Sequence, residues 1–178
     1  MIQVGFDCFL RAGELLSLIL QDVVINQDNR GVIKLEHTKT GQRHVAFEAA
    51  TINDPACIRL YRRFRRGLQA NTSRLNYIFM PNHHRFYKLF KDGLRWLGLS
   101  DVGFQPYSLR RGGATAYFRA TRNMEATLDR GRWASARVAQ IYVNDGLARE
   151  VELRFSNDIQ ARLALMVSAF RLWLVESD

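Results

Sequence analysis

Apolar residues recur at helical spacing along most of the chain, and runs with β-like character are short and few. VGFDCFLRAGELLSLIL opens with a helical pattern, with Gly5 and Gly13 as its weak points. VVI at 23–25 and VIKLE at 32–36 read as strands, HTKTGQRH as a turn around Gly41, and HVAF at 44–47 as the returning strand. Asn53-Asp54-Pro55 caps a helix through ACIRLYRRFRRGLQ, striped by Ile58, Tyr61, Phe64 and Leu68. A short YIFM strand follows. Pro81-Asn82 then opens a helix with Phe86, Leu89, Phe90 and Leu94 inward. Further helices are predicted over 108–119, 123–131 and 135–142, and over 157–174 with a stripe of Ile159, Leu163, Met166, Phe170 and Leu174. The fold class is therefore α+β, mostly α-helical with a small antiparallel β-sheet.

Charge narrows the partners. Lys plus Arg number 26 against 17 Asp plus Glu, a net +9 that favours a polyanion through phosphate contacts and counterion release. A basic surface that binds nothing is the competing reading, and the arginines between 59 and 66 fit a solvated helix face as well as a DNA contact. Cys8 and Cys57 lack the spacing of a disulfide framework or a zinc site, which fits a reducing, intracellular setting. His83-His84 diverge on a helix and read as a surface pair. The apolar run LALMVSAFRLWLV is too short for a membrane span and carries Arg171, and the N-terminus lacks the order of a signal peptide. No cofactor, metal or membrane is expected.

Four pieces of sequence carry chemistry. FLRAGELLSL places Arg11 three residues before Glu14, and HTKTGQ places Lys39 at a hairpin tip. YSLRRGGATA contains Tyr107, Arg110 and Arg111, and RWASARVAQIYV sets Trp133 nine residues before Tyr142. Each has an ordinary use when read alone: Arg11 can pair with Glu14, Arg110 can be a surface charge, Lys39 a turn lysine and Tyr142 a core aromatic. In this order and spacing they resemble the tyrosine recombinases, the phage-integrase-like DNA strand-transfer enzymes. Those show an Arg-x-x-Glu segment, a hairpin Lys, a His-x-Leu-Arg-Arg motif, a Gly-His/Trp position and a nucleophilic Tyr. The resemblance runs from about residue 3 to 145 and departs from the family at Tyr107, where a His is usual.

The resemblance implies a catalytic domain over 1–178, with an N-terminal DNA-binding domain expected elsewhere in the parent protein. Arg11 and Arg110 would clamp the phosphodiester, because guanidinium forks meet non-bridging oxygens with paired, charge-assisted bonds. Tyr142 would attack to give a 3′-phosphotyrosyl link, Lys39 would protonate the leaving 5′-oxygen, and Tyr107 and Trp133 would donate to the phosphate. The expected function is DNA integration or transposition of a mobile element without metal. The expected partners are double-stranded DNA and further protomers on it, and the place of work is with DNA, in a nucleus or a bacterial cytoplasm. For the helix over 157–174 two roles stand open, packing on a neighbouring protomer or closing its own core. A DNA-binding remnant without catalysis is the alternative function.

Overall fold

The computed structural model describes residues 1–35, 48–69, 77–79 and 82–175. The opening helical pattern is two short helices, α1 (Ile2–Asp7) and α2 (Ala12–Ser17), rather than one. They are broken where Phe9 takes a left-handed backbone at φ 49°, a conformation that costs a non-glycine residue about 1–2 kcal/mol and that no glycine or proline announces. β1 (Val23–Ile25), β2 (Gly31–Leu35) and β3 (Glu48–Ile52) form an antiparallel sheet in that order, with Val23 opposite Ile33 and Ile33 opposite Ala50. Alternation sets its faces: Gly31, Ile33 and Leu35 are buried while Val32 and Lys34 face out. The turn at 37–44 and the strand expected at 44–47 lie outside the described residues. β3 begins just after that predicted strand.

α3 (Pro55–Gln69) packs Ile58 and Tyr61 under the sheet, and the Tyr61 hydroxyl donates to the carbonyls of Leu20 and Val23 at 3.0 and 3.1 Å. Phe64, expected inward, is more exposed and meets Phe79 edge-on. The described part of the YIFM segment, residues 77–79, is no strand: Tyr77 makes one isolated bridge to Ile19, while Ile78 and Phe79 are buried in the main core. α4 (His83–Trp96) is capped by Asn82, whose side chain accepts from the Arg85 amide at 2.9 Å. Phe86, Phe90 and Leu94 are buried as the stripe predicts, whereas Leu89 is exposed.

The second half is helical: α5 (Ser108–Thr121), α6 (Met124–Gly131), α7 (Ala136–Tyr142), α8 (Asp145–Leu153) and α9 (Asn157–Val175). α8 was not expected from the sequence. α9 touches the body through Ile159, near Phe90 and Leu99, and through Leu174, while Met166 and its neighbours Leu165 and Val167 are exposed. Among the described residues no helix is long and apolar enough to cross a membrane.

One crossing fixes where the site will sit. α5 lies so close to α1 that a Cβ on Gly113 would stand 2.1 Å from the Phe6 carbonyl oxygen and 2.9 Å from the Phe9 ring. Neither neighbour is a flexible side-chain end. Gly113→Ala is therefore expected to destabilise the chain by about 3 kcal/mol, read as a lower urea midpoint at unchanged slope. A variant with the wild-type midpoint would show that the crossing relaxes freely.

Candidate active site

The break between α1 and α2, the N-terminal turns of α5 and the end of α6 converge on one carboxylate and a set of arginines. Arg11 is the N-cap of α2. Its amide and its guanidinium donate to the two oxygens of Glu14 at 2.8 and 2.5 Å. Glu14 is buried and also meets Arg132 at 3.0 Å and Arg110 at 3.9 Å, so one carboxylate faces three guanidinium groups.

Arg110 is 0% exposed. It donates to the carbonyls of Phe9 and, at 2.6 Å, Gly131, leaving its Nε–H without a hydrogen bond among the described residues. Burial above all, then the charges of Arg11 and Arg132, pulls its pKa down to about 10, against the opposing pull of Glu14 and Tyr142. It therefore stays cationic at neutral pH. Keeping a buried charge with unused donor capacity is costly unless an acceptor is meant to arrive.

Two rings cover this cation. Trp133 and Tyr142 stack at 4.6 Å with 26° between their planes, and the Arg110 guanidinium lies 5.1 and 5.4 Å from their centroids. Trp133 stacks in turn on Phe9, and its indole N–H is buried without a hydrogen bond among the described residues. The preceding glycine is required for that placement, since a Cβ on Gly131 would fall 2.2 Å from the Trp133 ring. Tyr107 closes the other side, with its ring 5.8 Å from that of Tyr142. Partial burial, then a hydrogen bond to Tyr142 and that residue's charge, raise the Tyr107 pKa to about 12. Tyr107 accordingly keeps its proton at neutral pH, leaving an O–H that can donate.

Tyr142 ends α7. The Thr115 hydroxyl donates to its carbonyl at 3.3 Å and accepts the Asn144 amide at 3.2 Å, so α5 grips the chain on both sides of Val143. Further along α5, Arg119 pairs with Asp145 and, at 2.6 Å, with Glu152, holding α8. Arg111 points instead to an open groove between α5 and α8, and makes no hydrogen bond or ion pair among the described residues. The structure thus brings Arg11, Tyr107, Arg110, Trp133 and Tyr142 together. Lys39 lies outside the described residues. Sequence reasoning missed Arg130 and Arg132, which tie α6 to Asp7, Thr51, Cys8, Phe9 and Glu14.

This is the fold of the tyrosine recombinase catalytic domain, mostly helical with an antiparallel sheet that has three strands among the described residues. Among solved structures, the XerH site-specific recombinase bound to difH substrate in a pre-cleavage complex is similar, with a TM-score of 0.64, 15% identity, 84% of this chain and 43% of that one covered. XerH in a post-cleavage complex with palindromic difH gives 0.64, 14%, 79% and 40%, and XerA recombinase gives 0.63, 22%, 86% and 55%. The chain thus spans about two-fifths to just over half the length of these proteins. No protein-family profile and no curated protein matches the sequence.

Proposed function

We propose that this chain cleaves and rejoins DNA strands as the catalytic domain of a tyrosine recombinase, in the service of a mobile element's integration or transposition. One observation carries the reading: the Tyr142 phenol lies over a buried, cationic Arg110 and beside the unpaired indole N–H of Trp133. Donors and positive charge aimed at one point suit a phosphoryl group that gains negative charge in its transition state. The +9 net charge supports double-stranded DNA as the partner.

In this mechanism the Tyr142 phenol gives up its proton to solvent as its oxygen attacks phosphorus, the bond from phosphorus to the 5′-oxygen breaks, and a 3′-phosphotyrosyl link forms. Arg110 and Arg11 take the non-bridging oxygens, and the Trp133 N–H and Tyr107 O–H add single donors. Lys39 protonates the departing 5′-oxygen, which leaves as a 5′-hydroxyl. Because rings cover Arg110, the phosphate meets it only as Tyr142 swings off the guanidinium. Return of a 5′-hydroxyl reverses the step and reseals the strand.

A second reading, a DNA-binding module without cleavage, is favoured by Tyr107, whose raised pKa removes the base that a His would supply. One experiment separates the two. The chain is incubated in chelator with a randomised duplex library carrying nicks, so that short 5′-hydroxyl strands diffuse away. Detergent-resistant complexes with DNA on the Tyr142 peptide are the expected result, since arginines stand where other phosphoryl-transfer sites use metal ions. Cleavage only on adding magnesium, or free phosphate ends without an adduct, would overturn the enzyme reading.

A further inference from the structure

Arg132 occupies a backbone that favours glycine. It caps α6 with φ 56° and ψ 46°, the left-handed conformation usual for glycine just past a helix end. A long cationic residue persists in such a strained position when the surroundings hold it there. The side chain is largely buried; its two terminal nitrogens reach the Cys8 carbonyl at 3.3 Å, the Phe9 carbonyl at 3.5 Å and Glu14 at 3.0 Å, and its Nε lies 3.4 Å from Glu48. The Phe9 carbonyl is also the acceptor of Arg110, and Phe9 itself has a left-handed backbone. Two strained residues therefore meet at one oxygen shared by two guanidinium groups.

Resting on the function just proposed, we infer that Arg132 is a positioning residue for the phosphate clamp. Glu14 orients Arg11 through one oxygen and the Arg11 amide through the other. Arg132 occupies that second oxygen, which otherwise lies 3.9 Å from Arg110. By satisfying Glu14 and bracing the 8–9 carbonyls, Arg132 keeps the carboxylate from drawing Arg110 away from Tyr142 and Trp133. It does so without touching DNA, because its head faces inward among protein acceptors. No sequence motif marks it.

The test uses the full chain with Arg132→Gly, Arg132→Lys, Glu14→Gln and the double variant Glu14→Gln/Arg132→Gly. Glycine suits the backbone, so its effect reports on the lost side chain. Adduct formation at saturating nicked DNA is expected to slow on the order of a hundredfold in Arg132→Gly, the scale of a small misplacement of a catalytic group. DNA affinity should change less than about threefold, since only the transition state is affected. Arg132→Lys, which keeps the charge but not the fork, should recover part of the rate. In the Glu14→Gln background the Arg132→Gly loss should largely vanish, because both act through one carboxylate. A rate within threefold of wild type, a rate that falls in step with affinity, or additive losses would each overturn the inference. Should Arg132→Gly fail to fold, Arg132→Lys is judged by the same criteria. A nitrogen–proton NMR signal from the Arg110 Nε–H gives a readout independent of cleavage. If the wild-type chain forms no adduct, the enzyme reading fails; an Arg110 signal that moves in Arg132→Gly still supports the positioning role, and one that does not move overturns it.

Discussion

Tyr142→Phe loses adduct formation by at least about ten-thousandfold, on the scale of removing a nucleophile, while the chain stays folded and bound to DNA. The ring is what packs: its stack on Trp133 and its place over Arg110 need no hydroxyl. Since the ring contacts are kept and Tyr107 is exposed, the urea midpoint should shift by no more than about 1 kcal/mol in stability. Tyr107 should also titrate lower than its present value of about 12, because burial still raises it but the bond to Tyr142 and that residue's charge are gone, while Arg110 and Arg11 still pull it down. Ultraviolet titration reads that change directly. Cleavage that persists in the Phe variant would remove Tyr142 from the chemistry altogether.

Arg110→Ala should cost more than about a hundredfold in adduct rate, the usual penalty for losing one donor to a developing charge. It should also cost stability, roughly 3 kcal/mol, because the Gly131 carbonyl loses its guanidinium donor, the Phe9 carbonyl keeps only the longer bond from Arg132, and Glu14 loses a buried counter-charge. Arg110→Lys separates the two: it retains charge in the cavity, so the fold should largely recover, but it lacks the planar fork and should remain slow. Arg111→Ala, on the open groove, should change stability by less than about 0.5 kcal/mol. Urea unfolding and adduct rates on the three variants decide it. Equal, small effects at 110 and 111 would return both to the status of surface charges.

The elements that declared themselves were those with local signatures. Asn53-Asp54-Pro55 and Asn82 mark the starts of α3 and α4, and alternation marks β2. What stayed hidden depends on distant partners. The break at Phe9 carries no glycine or proline, and it exists because two guanidinium groups and a stacked Trp133 fill the space around it. Arg132 was invisible for the same reason: among 26 Lys and Arg, nothing local separates a buried fork from a solvated one. α8 went unseen because its polar sequence, DGLAREVEL, is held by Arg119 from another helix and buries none of its residues fully. Leu89 sits on the expected stripe yet is exposed, since spacing defines a face and only the tertiary structure decides how wide a face is covered. At the site, Arg11, Tyr107, Arg110, Trp133 and Tyr142 were visible in order and spacing, whereas the carboxylate that gathers the arginines was noticed only as a neighbour of Arg11.

The grip of Thr115 on the residues around Tyr142 makes α5 a common reference frame. Arg110 and Thr115 are five residues apart on that helix, a fixed axial offset of about 7.5 Å at 1.5 Å per residue. A thermal excursion that displaces α5 as a body carries the cation and the backbone anchor of the phenol in the same direction by the same amount. Vibrations of the domain are thereby rejected as common-mode motion, and the tyrosine's remaining freedom relative to the arginine is rotation about its own side-chain bonds.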